Sequence, residues 1–355
     1  MVDVCLYTFS DGPSLLWVLV YVDDALIVDN HPDLRARFVR DLGSRFPIED
    51  KDDLSWILNV AVARDRPRRQ LTLSQGLYVS DLLQRHDAYI SSATTRTFKS
   101  PLGAIVLDPS DSPTPGSPEF DAMASKRDTY MAIVGGLLWL ANMSRPDLAY
   151  AASQLSRFMT NPGPLHFAAA VRVLCYLRDS PRRDLVFSPD HALPLLAHVD
   201  SNWEAQFSCT GALLFYFGCP IHWFSKTQRS VSLSSAEAEY FGAMLAAREV
   251  LFVRDLLVDL NLRPSGPTLL CSDSKSAVNM SLDPVAFKKT KHIMRAAAFL
   301  RDLVAKEAIA MRHVPGDAML ADFLTKAMGP APFCRLLALL ENCASILTKH
   351  VSLPI

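Results

Sequence analysis

Ala197-His198-Val199-Asp200-Ser201 and Leu269-Leu270-Cys271-Ser272-Asp273 are short apolar runs that each end on an acid, and Leu233-Ser234-Ser235-Ala236-Glu237-Ala238-Glu239-Tyr240 lies between them. The first run reads as a strand that carries Asp200 to one sheet face, with further strands at 212–216 and near 221–224 completing an antiparallel meander. Ser234-Ser235 predicts a helix start, because serine accepts a bond from the free backbone N–H groups of the first turn and acids there suit the positive helix end. That helix is expected over residues 236–260, and the next strand over 268–271. Glu237 and Glu239 point roughly 200° apart on a helix, so only one can face a common site. Glu239 shares its face with Ala243, Ala246 and Ala247, which favours Glu239 as the inward acid and leaves Glu237 solvated.

A fourth acid, Asp322, falls in Leu320-Ala321-Asp322-Phe323-Leu324-Thr325-Lys326, read as the start of a terminal helix, with His313 on the loop before it. Acids from two strand ends and two helix starts can converge at one sheet edge. Like charges so close raise one another's pKa, and cations relieve that. Two magnesium ions about 4 Å apart, with manganese as the alternative, would also clamp the attacking and leaving oxygens of a phosphodiester. His313 could handle protons.

The chain has 355 residues, half of them apolar and 21% charged, which suits two or more domains with buried cores. A net charge of −1 supplies no global attraction to nucleic acid, so contacts must come from local basic patches. Cys5, Cys175, Cys209, Cys219, Cys271, Cys334 and Cys343 are scattered with no Cys-x-x-Cys pair, which fits reduced thiols. No signal peptide or membrane-spanning run is evident, and a soluble intracellular protein is expected.

Upstream, Leu15 to Val22 and Ala25 to Val28 flank Asp23-Asp24 and read as a buried hairpin. Residues 31–95 mix helix and strand patterns. The Pro- and Ser-rich stretch 100–119 reads as a linker, residues 130–177 as helices, and 178–183 as a second hinge. There is no internal repeat.

The words around these acids resemble the C-terminal part of the Pol polyprotein of copia-type LTR retrotransposons, as far as about Met328. They are Asp200-Ser201-Asn202-Trp203, Ser208-Cys209-Thr210-Gly211, Trp223-Phe224-Ser225-Lys226-Thr227-Gln228, Leu233 to Tyr240, Asp273-Ser274-Lys275-Ser276-Ala277, Lys289-Thr290-Lys291-His292-Ile293 and Ala321 to Lys326. Tyr21-Val22-Asp23-Asp24 resembles the reverse-transcriptase turn whose adjacent acids bind catalytic magnesium. Gln75-Gly76-Leu77-Tyr78-Val79, Gly135 to Ala141, Ser144-Arg145-Pro146-Asp147 and Leu155-Ser156-Arg157-Phe158 are further such words. Asn202 replaces an acid common in its word, and Asn59 stands where glycine is usual. The family's fingers and the palm strand with its third catalytic aspartate would lie upstream of this sequence, so no polymerase activity is expected from the chain alone.

The resemblance implies an α/β (α+β) architecture. Residues 1–100 would be the C-terminal part of a reverse-transcriptase palm and thumb, and 101–190 a linker and helical connection. Residues 191–328 would form a ribonuclease H-like domain with a mixed five-stranded sheet flanked by helices, and 329–355 a tail helix. It implies endonucleolytic hydrolysis of RNA in RNA–DNA hybrids, with Asp200, Glu239, Asp273 and Asp322 as metal ligands and His313 assisting. Asp23 and Asp24 would be the remaining polymerase ligands. Lys288, Lys289, Lys291, His292 and Arg295 form a basic patch suited to the hybrid's phosphates, or a solvated helix face. Arg64, Arg66, Arg68 and Arg69 read as a surface turn in preference to a hybrid contact, Trp203 and Trp223 as core or sheet-packing residues rather than base-stacking platforms, and Phe333, Leu336, Leu337 and Leu340 as a short helix without assigned function. Expected partners are hybrid, RNA, DNA and retrotransposon particle components, with no membrane. The expected location is the cytoplasm, in a virus-like particle, or the nucleus. Two other readings stand beside this one. A decayed element would fold but catalyse nothing. Another nuclease on the same fold is disfavoured by the Tyr21–Asp24 word and by Leu324-Thr325-Lys326.

Overall fold

The computed structural model describes residues 3–51, 53–93, 96–188, 193–203, 208–228, 231–282 and 294–352. Strands β1 (Leu6–Asp11), β2 (Ser14–Tyr21) and β3 (Asp24–Asp29) form an antiparallel meander, with Tyr21 opposite Asp24 across a tight turn. Val22 takes φ 55° there, a left-handed conformation costly for a β-branched residue. The hairpin is not buried as its apolar runs suggest. Helix α1 (Pro32–Gly43) packs on β2 and β3, and Leu6, Leu16 and Val18 are buried while Tyr7, Phe9, Leu19, Tyr21 and Val22 are exposed.

Strands β4 (Trp56–Ile57), β5 (Val60–Asp65) and β6 (Gln70–Ser74) follow as antiparallel neighbours. The arginine run lies around the β5–β6 turn, where Arg66 pairs with Asp53 at 2.5 Å. Helices α2 (Gly76–Arg85), α3 (Asp87–Ala93), α4 (Pro118–Met143), α5 (Ala149–Ser156) and α6 (Pro164–Asp179) come next, and β7 (Leu185–Phe187) returns to pair with β6. The stretch read as a linker is a packed strap. Ser100, Leu102 and Leu107 are buried, Asn161 donates to the Pro113 carbonyl at 2.9 Å, and Arg172 Nε donates to the Pro101 carbonyl at 3.1 Å. Side chains from α6 and from the loop before it thus satisfy strap carbonyls that water would otherwise claim. Beneath them Arg145 grips Asp147 through two bonds of 2.8 and 2.7 Å, and Tyr176 donates to the same carboxylate at 2.7 Å. All three residues are buried.

The second half is a five-stranded mixed sheet. Strands β8 (Leu196–Ser201), β9 (Cys209–Tyr216) and β10 (Cys219–Thr227) are antiparallel. After α7 (Ser235–Asp259), β11 (Thr268–Ser272) pairs parallel with β8. After α8 (Lys275–Leu282) and α9 (Met294–Ala305), β12 (Ile309–His313) pairs parallel with β11. The order is β10-β9-β8-β11-β12, a ribonuclease H-like fold. Alternation along each strand sends side chains to opposite faces. Ala197, Val199, Ala212 and Leu214 pack against Tyr240, Ala243, Ala246, Ala247 and Val250 of α7 and Leu300 of α9. Leu196, Leu213, Phe215 and Trp223 pack into the core of α4, α5 and α6. The Trp223 indole N–H donates to the Ala141 carbonyl at 2.5 Å across that junction.

Asp322 does not begin a helix. Leu320–Leu324 is a 3-10 turn whose Leu320, Ala321, Phe323 and Leu324 are buried, and the helix starts later, at Pro330. Proline suits that position because the first helical N–H has no partner to lose. Helices α10 (Pro330–Glu341) and α11 (Cys343–Ser352) bury Phe333, Leu336, Leu337, Leu340 and Leu347 in the core shared by the connecting helices and the sheet. Cys5, Cys175, Cys219, Cys271, Cys334 and Cys343 are free thiols. No single helix among the described residues is long and apolar enough to cross a membrane.

Candidate active site

Asp200 lies near the end of β8, Asp273 follows β11, and Glu239 sits in the first turns of α7. One carboxylate oxygen from each lies within 4.8 Å of one from each of the others. Two glycines let the elements approach this closely. A side-chain carbon on Gly242 of α7 would meet the Ser201 Oγ at 2.1 Å, and one on Gly211 of β9 would meet the Leu324 side chain at 2.4 Å. Gly242 therefore seats α7 on β8, and Gly211 seats the Asp322 turn on β9.

Burial pushes the Glu239 carboxyl up to about 9, with Asp200 and Asp273 adding repulsion. Burial also raises Asp200, against a bond from the Thr325 hydroxyl, and Asp322 and Asp273 raise it further. Asp273 is raised by burial and then by Asp322. Glu239 Oε2 is buried with no hydrogen-bond partner among the described residues. Three converging carboxylates with an orphaned oxygen form an all-oxygen donor set that suits a hard divalent cation.

Asp322 stands outside this closest group but acts on it electrostatically, and it pairs with Lys326. Burial works against the Lys326 charge, yet Asp322, Asp200 and Asp273 hold its pKa above the ordinary value. His313 ends β12 beside Ser272, one residue from Asp273. Arg295 is exposed on α9, while Lys288, Lys289, Lys291 and His292 lie outside the described residues. Asp23 and Asp24 are exposed on the β2–β3 hairpin of a different sheet.

Two expectations fail near the acids. Glu237 is buried rather than solvated, because its carboxylate turns back to accept the Leu233 N–H at 2.7 Å while Ser234 caps the Glu237 N–H at 3.2 Å. That reciprocal cap draws an acid inward without bringing it to the cluster. Trp203 is 56% exposed rather than packed, whereas Trp223 is buried. Residue-type reasoning gave no role to Thr325, Lys326, Gly211 or Gly242, although the Thr-Lys pair directly follows the Asp322 turn.

A second group, His198, Cys271 and His350, also lies within 4.8 Å and is fully buried. His198 Nδ1 accepts the Leu320 N–H at 3.3 Å, and its Nε2 faces His350 Nδ1 at 3.2 Å. A metal-binding histidine normally donates its second ring N–H, but here that nitrogen meets a donor. The buried Arg312 guanidinium, bonded to the His350 carbonyl, adds positive charge beside it. Burial lowers His198 to about 3, so the ring is neutral. These contacts make the group a hydrogen-bonded strut between α11 and β8.

No family profile matches the chain. It is 32% identical over 339 residues to a retrovirus-related Pol polyprotein from transposon RE1 of Arabidopsis thaliana, covering 93% of this chain and 22% of that protein. It is 32% identical over 355 residues to the Pol polyprotein from transposon TNT 1-94 of Nicotiana tabacum, covering 98% and 26%. This chain is similar to part of the Pol polyproteins of these transposons. The Pol-like chain spans about a quarter of the length of these curated relatives. Among solved structures it is similar to LC11-RNase H1 from compost, at 17% identity and a TM-score of 0.31 over 37% of this chain and 92% of that one.

Proposed function

We propose that the Pol-like chain hydrolyses the RNA strand of RNA–DNA hybrids endonucleolytically, leaving a 3′-hydroxyl. The observation that carries this reading is the carboxylate group of Asp200, Glu239 and Asp273, with its orphaned Glu239 oxygen, at the C-terminal ends of the inner strands β8 and β11 and the start of α7. Asp200, Glu239, Asp273 and Asp322 would hold two magnesium ions, or manganese in their place. Bound there, such cations supply charge stabilisation for in-line phosphodiester hydrolysis. The Thr325 hydroxyl orients the Asp200 carboxylate, and Lys326 balances the acid charge before cations bind. The His313 imidazole, partly exposed at the end of β12 opposite Ser272, would assist the reaction beside Asp273. Lys288, Lys289, Lys291, His292 and Arg295 would contact phosphates, with the hybrid read through 2′-hydroxyls and backbone shape.

No polymerisation is assigned to this chain. Among the described residues no third acid joins Asp23 and Asp24 within metal-ligand distance. Residues 1–100 are read as palm and thumb, 101–190 as linker and connection, 191–328 as the nuclease domain and 329–355 as the tail. Retrotransposon particle components are the proposed partners, in the cytoplasm or nucleus.

The test is to incubate the purified chain with a labelled RNA–DNA hybrid and magnesium beside an Asp273→Asn variant. The parent should cut the RNA strand, and the variant should lose about a thousandfold in rate. No cleavage by the parent, or equal cleavage by both, overturns the assignment.

A further inference from the structure

Trp203 lies three residues beyond Asp200 and is 56% exposed, yet its indole N–H is fixed to the Ser232 carbonyl at 2.9 Å. The anchor is itself braced. The Ser232 hydroxyl donates to Gln228 Oε1 at 2.9 Å, and Gln228 Nε2 donates to the Ala238 carbonyl at 2.8 Å and to Thr210 Oγ1 at 2.9 Å. Ala238 immediately precedes Glu239, and Thr210 Oγ1 meets Ser201 Oγ at 3.1 Å. Ser201 follows Asp200, and its backbone bonds the Glu239 carboxylate. The framework that sets two of the clustered acids therefore also sets the indole. Val231 and Leu233, on either side of Ser232, are 54% and 70% exposed, so the segment that anchors the indole also presents apolar side chains to solvent.

Leaving a tryptophan in water forfeits its large burial gain. Holding its N–H in a rigid hydrogen-bond chain removes the freedom an idle surface ring would keep. A ring with its polar edge satisfied and much of its surface open is the form of a nucleotide platform, since every base and sugar offers a face to pack on. We propose that Trp203 is a positioning residue whose indole packs against a nucleotide of the hybrid beside the scissile phosphate. The inference rests on the hybrid-nuclease reading.

Steady-state cleavage of the hybrid by the full chain tests it. Trp203→Ala should raise KM about tenfold and leave kcat within about twofold, the scale of one lost stacking contact. Trp203→Phe, which keeps an aromatic face, should stay within about threefold of the parent in KM. Hybrid added with calcium in place of magnesium should quench tryptophan fluorescence in the parent and far less in Trp203→Phe. That readout survives even if the alanine variant fails to fold. A parent that cuts the hybrid while Trp203→Ala keeps its KM overturns this inference alone, as does a quench that persists in Trp203→Phe. A parent that neither binds nor cuts the hybrid overturns both readings.

Discussion

The β2–β3 hairpin and the strand ends of the five-stranded sheet each present acids, and they present them in opposite environments. Asp23 and Asp24 stand exposed on a turn between strands on which α1 packs. Asp200 is buried, Glu239 and Asp273 are partly buried, and helices or turns close over both faces of the strands that carry them. The hairpin pair lies open to solvent, on a different sheet from the clustered acids. At the strand ends, burial and mutual repulsion make three charges costly together, and a cation becomes the natural relief.

The sharpest way to break this contrast is to remove charge at the strand ends. Asp200→Asn should lower hybrid cleavage about a thousandfold, an effect of ~4 kcal/mol, read from initial rates at saturating magnesium. The scaffold of connecting helices is tested by Asp147→Ala, which strands the buried Arg145 guanidinium and leaves Tyr176 without its acceptor. A loss of about 3–5 kcal/mol is expected in denaturant unfolding, and a loss under ~1 kcal/mol would contradict the buried-pair account.

Metal removal sharpens the comparison by pH. In the chelated chain the folded state keeps the Glu239 proton up to about pH 9, while the unfolded chain releases it near the ordinary 4.5. The folded state binds more protons across that window, so stability falls as pH rises from 4.5 towards 9. Chelated Glu239→Gln should lose this slope and gain about 2 kcal/mol at pH 8, measured by thermal unfolding in EDTA. Saturating magnesium should flatten the parent's slope. The smallest effect belongs to the hairpin: Asp23→Asn and Asp24→Asn should change hybrid cleavage less than twofold and stability within about 0.5 kcal/mol.

Local chemistry made the sheet half readable. Short apolar runs ending on an acid gave β8 and β11, Ser234 gave the start of α7, and the small residues after Glu239 identified its inward face. Reasoning failed where a residue's fate depends on distant partners. Glu237 is buried by a backbone N–H four residues earlier, which opposition around a helix does not foresee. Trp203 looks like a core residue by type, and its exposure follows from a bond to Ser232, 29 positions away. The strap at 100–119 has the composition of a linker, but its carbonyls are claimed by Asn161 and Arg172. The β2–β3 runs are apolar enough for a core, yet Leu19, Tyr21 and Val22 are left in water.

The core that joins α4, α5 and α6 to the sheet and to the two C-terminal helices has a consequence for how such a sequence drifts. A nuclease whose acids sit on a self-contained module can tolerate decay in its neighbours. Here Trp223 reaches across to Ala141, and the His198–His350 strut ties the last helix to the strand that carries Asp200. On the proposed reading, lesions far from the acids, in the connecting helices or the final turns, would impair cleavage by loosening the strands that carry the acids. Intact acids beside a scrambled α4 would then mark an impaired copy, so inventories of active elements should score both regions together.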